Sequence, residues 1–116
     1  MIIYNVTLSI NSDIEASVLS WLKDTHIPEV MSTGLFISNN MFKIVENHTE
    51  RTHNSYAIQY TLESWEKFEE YSSKHAAELQ LKTKLKFGDN VLAFRTFLEK
   101  NNSTQVRQSF QKFKYG

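Results

Sequence analysis

Cysteine is absent from the chain, which excludes disulfide staples, thiolate metal sites and cysteine nucleophiles and agrees with a reducing compartment. Proline occurs once and glycine three times, so few positions can force the backbone to change direction. No apolar run approaches the ~20 residues needed to span a bilayer. The opening Met1-Ile-Ile-Tyr-Asn-Val-Thr7 has neither a basic leader nor a long apolar stretch, so neither export nor membrane insertion is expected and the expected location is cytoplasmic. Asn47-His48-Thr49 then reads as an accidental sequon. A phosphate-binding glycine loop, HExxH and a nucleophile elbow are all missing, which argues against nucleotide and zinc enzymes.

Net charge is also missing: 13 basic and 13 acidic side chains cancel, leaving no overall field to attract nucleic acid or acidic membranes. The balance is uneven along the chain. Residues 100–116 carry Lys100, Arg107, Lys112 and Lys114 and no acid, while the first 99 residues hold nine basic against thirteen acidic side chains. With 116 residues, 41% of them hydrophobic, the chain suits one domain with one two-layer core. We read residues 1–99 as that domain and 100–116 as a basic extension. In the extension Val106, Phe110 and Phe113 have the spacing of a short amphipathic helix, with a frayed terminus as the alternative.

Residues 2–10 alternate, with Ile2, Tyr4, Val6, Leu8 and Ile10 on one face, the pattern of a half-buried strand. Asn11, Ser12 and Asp13 supply turn and N-cap chemistry before Ile14, Val18, Trp21 and Leu22 at helical spacing, which predicts a helix over 13–25. Pro28 and Gly34 predict an ordered connector over 26–34. Residues 35–46 and 55–62 read as a hairpin joined by a polar loop. Ser64 caps a helix over 65–84, bearing Trp65, Phe68, Tyr71, His75 and Leu79 along one side, and Gly88 closes it before a strand over 90–99. The order β, α, ββ, α, β predicts an α+β, ferredoxin-like two-layer sandwich with both helices on one face of a four-stranded sheet. Ile3, Ala57, Ala93 and Phe97 are expected on the opposite face, which a second copy of the sheet would cover.

Trp21-Leu-Lys-Asp-Thr-His26-Ile-Pro28-Glu-Val-Met-Ser-Thr-Gly34 resembles the helix-to-strand segment of the dimeric α/β-barrel superfamily, in which a helix ends in His-x-Pro before a glycine and the second strand. Together with Met1–Thr7, Tyr56-Ala-Ile-Gln-Tyr60, His75-Ala, Phe87-Gly and Ala93-Phe-Arg-Thr96, the chain resembles a small bacterial family of uncharacterised proteins in that superfamily over residues 1–99. The resemblance implies protomers whose sheets pair into a barrel, with a ligand cavity between sheet and helices. It does not imply one activity, because the superfamily includes cofactorless monooxygenases, haem-handling enzymes, cyclases and isomerases.

Several side chains could carry chemistry. His26, just past the predicted helix C-terminus, is expected in a field that favours the imidazolium and could shuttle protons; its plainer role is a cap. His75 on the inner side of the second helix is either a second proton-transfer residue or a satisfied rim histidine. Asn5, Gln59 and Arg95 are expected on neighbouring strands and one sheet face, to hold substrate oxygen or to form a structural network with Glu29, Glu63 or Glu99. Trp21, Tyr60, Trp65, Phe68 and Tyr71 wall an aromatic pocket or simply build the core. His48 and His53, with Glu46 and Glu50, imitate a metal site, but their spacing is that of a solvated loop.

These residues lead to three functional expectations. The first is a homodimeric small-molecule-binding protein, monooxygenase- or isomerase-like and cofactorless, using His26 or His75. The second is a non-catalytic structural or interaction dimer. The third, RNA or membrane contact through the tail, is weakest because Tyr56–Tyr60 lacks the basic, glycine-bearing pattern of an RNA-binding sheet. Neither a nucleic-acid nor a membrane partner is therefore expected, and no cofactor or metal.

Overall fold

The computed structural model describes residues 1–46 and 52–101. The hairpin tip with His48 and Glu50, and the tail positions Val106, Arg107, Phe110, Lys112, Phe113 and Lys114, lie outside the described residues. Four strands, β1 (Ile2–Asn11), β2 (Ser38–Lys43), β3 (His53–Leu62) and β4 (Val91–Glu99), form one antiparallel sheet in the order β2-β3-β1-β4. This is the ferredoxin-like arrangement, with the helices on one face. Strand β1 is central because both its edges are paired, Tyr4 facing Tyr60 on one side and Phe97 on the other.

Its alternation sorts the two faces. Ile2, Tyr4, Leu8 and Ile10 are buried beneath the helices, with Tyr56, Ile58, Tyr60 and Leu62 of β3 beside them. The opposite face carries Ile3, Asn5 and Thr7 of β1, Ala57 and Gln59 of β3, Asn40 and Phe42 of β2, and Phe94, Thr96 and Leu98 of β4. Ala93 and Phe97 depart from expectation. Ala93 pairs with Leu8 and Phe97 with Tyr4, so both lie on the helix side. Both faces of β4 are rich in apolar side chains, so composition could not tell them apart and only pairing with β1 decides.

The first helix also differs from its predicted bounds. A 3-10 turn (Ser12–Ile14) leads into α1 (Glu15–Trp21), a π turn (Leu22–His26) and α2 (Ile27–Met31). Asn11 is the cap, its side chain accepting from the Asp13 amide at 2.9 Å. The helix thus runs through the stretch expected to be a connector. Within the π turn the Ile27 amide reaches back five residues to the Leu22 carbonyl, which resets the hydrogen-bond ladder just before Pro28, the residue that cannot donate. Pro28 then sits at the favourable start of α2. The chain reverses at Gly34, whose φ of 77° suits glycine.

After the turn Leu35 and Phe36 are buried, but the strand proper starts only at Ser38 and ends at Lys43, shorter than the predicted 35–46. Ser64 accepts from the Lys67 amide at 3.3 Å and opens α3 (Trp65–Tyr71), followed by a second π turn (Ser72–Ala76) and α4 (Ala77–Phe87). Gly88, at φ 57°, ends the helix. The core is one cluster in which Ile10, Val18, Leu22, Val30, Ile58 and Leu62 are fully buried.

At one end of the sheet, Glu15 ties the first helix to β3. Its carboxylate accepts a hydrogen bond from the Tyr56 hydroxyl and another from the Asn54 side-chain amide at 2.6 Å. The Tyr56 bond is the main cause that holds the Glu15 pKa below 4.5, helped by Asn54 and Lys43. Burial and the same carboxylate push the Tyr56 phenol up to about 12. Stability supplied by ionised Glu15 is therefore fully present above pH 4.5 and is lost as pH falls through its lower folded pKa. Tyr56→Phe is expected to lower urea-unfolding stability by about 1 kcal/mol at neutral pH. The gap between wild type and variant should shrink on acidification below pH 4.5; a gap independent of pH would exclude the charged bond.

Candidate functional site

On the helix side of β1 the side chains shorten along the strand, and this opens a gap. At Tyr4 the space is filled by rings. Phe36, Tyr60, Phe68, Tyr71 and Phe97 all lie with centroids within 6.2 Å of the Tyr4 ring. Two residues on, Val6 is only partly buried although β1 is central. The helix segment across from it supplies Gln80, Thr83 and Lys84 of α4, polar side chains that cannot complete an apolar core.

The result is a cavity of about 300 Å³ between sheet and helices, at the lower end of the range for small-molecule sites. Its sheet side is formed by Tyr4, Val6 and Leu8 of β1, Ile58 and Tyr60 of β3, and Ala93 and Arg95 of β4. Leu22, His26 and Val30 come from the first helix, and Tyr71, Gln80, Thr83 and Lys84 from the second. Asp89, in the turn after Gly88, completes the lining near β4.

His26 is the last residue of the first π turn, a local irregularity frequent at functional sites. It is inside the helix rather than at its end, so the expected C-terminal dipole does not act on it. Burial pushes its pKa below 6.5, with Arg95 and Lys82 adding to the fall and Glu29 opposing it. The imidazole is thus neutral at neutral pH, the reverse of the imidazolium expected. Its Nδ1 is buried without a hydrogen-bond partner among the described residues. Trp21 stacks on it at 5.1 Å with planes 21° apart, fixing the ring. Trp21 does not line this cavity and touches it through its stacking on His26.

Three phenols line the same cavity as His26. Burial raises the pKa of Tyr60, with Tyr71 and Tyr4 reinforcing it. Tyr71 is pushed to about 12 by burial and Tyr4, against Arg95. Tyr4 is raised by burial, against the Arg95 and Gln80 side chains that reach its hydroxyl. All three are therefore protonated at neutral pH and available as donors.

Of the residues predicted from sequence, His26, Tyr60, Tyr71 and Arg95 meet in the cavity and the others do not. His75 stacks on Tyr71 at 6.3 Å but is not part of the lining. Arg95 pairs with Val6, whereas Asn5 pairs with Gln59 and Thr96, so Arg95 is on the opposite face from Asn5 and Gln59. The expected trio is thereby divided. Asn5 instead donates to Thr7 and Thr96 at 3.1 and 3.2 Å, and its Oδ1 is buried without a partner among the described residues. None of the expected counterions reaches Arg95; Glu29 pairs with Lys82 at 2.8 Å. Trp65 and Phe68 pack on Phe97, outside the cavity lining. His53 meets Thr52 at 3.0 Å, and no group of three potential metal ligands forms among the described residues.

Sequence reasoning missed Val6, Gln80, Thr83, Lys84 and Asp89. A signal existed for two of them. Gln80 and Thr83 continue the inward stripe of Ala76 and Leu79, so polar residues occupy positions a packed helix would fill with apolar ones.

The fold is shared with solved structures of low sequence identity. An EthD-family protein from Bacillus halodurans superposes with a TM-score of 0.62 at 15% identity, over 87% of this chain and 100% of that one. HapK from Hahella chejuensis gives 0.62 at 7% identity, covering 92% and 99%. A dimeric ferredoxin-like protein from an uncultured marine organism gives 0.55 at 13%, covering 92% and 100%. No curated protein matches the sequence. Residues 1–101 match the family described as Domain of unknown function (DUF4286), and the chain, with its ferredoxin-like fold, belongs to that family.

Proposed function

We propose that the protein is a homodimer that binds a small, largely apolar, oxygen-bearing molecule in the sheet–helix cavity and moves a proton of that molecule with His26. The observation that carries this reading is that His26, its imidazole kept neutral by burial and stacked on Trp21, lines a cavity also lined by three protonated phenols and a guanidinium. A neutral imidazole is the base form, and a ligand proton acidified by a neighbouring carbonyl or ring is its natural target. The charge left on the ligand oxygen would be met by the hydroxyls of Tyr4 and Tyr71, both buried side chains whose donors act more strongly there than in water.

The product depends on what the ligand anion meets. Return of the proton at another atom is isomerisation; reaction of the anion with dioxygen is cofactorless oxygenation. The Bacillus cereus protein described as a putative antibiotic biosynthesis monooxygenase shares the fold at a TM-score of 0.54 and 13% identity, and its name is the nearest to the second outcome. His75 has only an indirect part, through its stacking on Tyr71.

The dimer rests on the outer sheet face. Phe94 is 62% exposed and Phe42 51%, and Leu92 and Leu98 stand open beside them. A second copy of the sheet would cover these exposed side chains. The same face favours the alternative of a non-catalytic dimer, which differs in requiring nothing of the cavity.

Proton transfer is checked by following hydrogen–deuterium exchange of enolisable ketones and phenols in D₂O by NMR. The wild type should accelerate exchange for ligands that enter the cavity, and His26→Gln should cut the rate by roughly 10²-fold or more while retaining the fold; equal rates would remove His26 from the chemistry. Sedimentation should give a dimer for the wild type and a monomer for Phe94→Asp, whose exposed position leaves the protomer intact. A monomeric wild type would contradict the pairing of sheets.

A further inference from the structure

Two cations and one acid line the cavity where α4 meets β4. Arg95 stands on the edge strand β4, Lys84 in the last turn of α4, and Asp89 in the turn that joins them. The ion pairs among the described residues are Lys74–Glu70 and Lys82–Glu29, which include neither Arg95 nor Lys84. Asp89 lines the same cavity, yet it lies beyond ion-pair distance of both cations. A guanidinium is rarely left without a planar acceptor where its fork can be matched by two oxygens. With His26 neutral, the polar end of the cavity has one positive charge in excess. The remainder of the lining, Val6, Leu8, Ile58 and Ala93, is apolar and accepts a ring or a branched hydrocarbon.

We infer that the ligand of this cavity is a ring-bearing monocarboxylate, its carboxylate held by Arg95 and Lys84 and its ring laid against Val6, Leu8 and Ile58. This rests on the proposed use of the cavity and adds the class of molecule that enters it. A single carboxylate cancels the excess charge. A second one would meet Asp89 with nothing left to neutralise it, so dicarboxylates are rejected. Arg95 acts electrostatically on Tyr4, Tyr71 and His26, which places its charge at the cavity and not out along the edge strand.

The test uses two probes of nearly equal shape, 2-naphthoate and its neutral amide, 2-naphthamide, with the full chain. Binding is measured by calorimetry, and the imidazole signals of His26 are followed by NMR to locate it. The wild type should bind naphthoate about tenfold or more tightly than the amide, in line with a charge-assisted contact that is partly open to solvent. Added salt should weaken that preference. Arg95→Gln should remove about tenfold of the naphthoate affinity and leave the amide unchanged, and Lys84→Gln should remove about threefold. Both side chains are exposed, so neither replacement disturbs the fold. If both probes move the His26 signals and bind equally, or if Arg95→Gln leaves naphthoate affinity intact, the carboxylate clamp is wrong while the cavity reading stands. If neither probe binds, or naphthoate binds without moving His26, the clamp and the cavity reading fall together.

Discussion

The packing of rings around Tyr4 is the constraint on which the other features depend. Tyr4 sits near the start of the central strand and touches rings from the segment before β2 and from β3, α3 and β4. Aromatic pairs of this kind contribute about 0.5–1.5 kcal/mol each beyond the area they bury, and rings of that size set how closely the second helix can approach the sheet. Toward Val6 and Leu8 the sheet residues are smaller while the helix backbone continues at the spacing the rings impose. The cavity is thus the consequence of a wide core at one end and short side chains at the next rows. Its polar lining on α4 keeps it from collapsing into further core.

The same period-two alternation that builds the core divides the protein's two surfaces by task. Residues of even number on β1 face the helices and the cavity, and residues of odd number face outward, to where a second sheet would lie. Arg95 belongs to the cavity because β4 pairs with β1 in the register that sets it opposite Val6. A shift of one residue would exchange Arg95 for Phe94 and reverse both surfaces. The lining of the cavity and the make-up of the outer face are therefore fixed by one set of backbone hydrogen bonds. The edge position of β4 leaves the guanidinium exposed, which keeps it solvated and charged at the cavity rim instead of desolvated in the core.

Much of this was legible in the residues themselves. The alternation of Ile2 to Ile10, the Asn11 and Ser64 caps and the Gly88 terminator led to the correct element order, because each is a local signal with a local cause. Three things were not local. Pro28 looked like a helix end, but a π turn ahead of it absorbs the missing donor. Arg95, Ala93 and Phe97 could not be assigned to a face, since Val91 to Glu99 is apolar at both parities and only the register with β1 distinguishes them. The state of His26 was inverted for a related reason: a position taken as exposed to a helix terminus is enclosed between Trp21, the sheet and the second helix. Two of the missed polar residues, Gln80 and Thr83, were readable as interruptions of the inward stripe of α4.

The central claim is that the space beside Val6 is a true cavity kept open by the Tyr4 cluster. It is tested most directly by urea unfolding of the Val6→Phe variant, which puts a ring on the central strand facing that space. If the cavity exists, the ring enters it, and stability is unchanged or increased. In a filled interior the same substitution costs about 1–3 kcal/mol through overpacking, and a loss of that size would contradict the account.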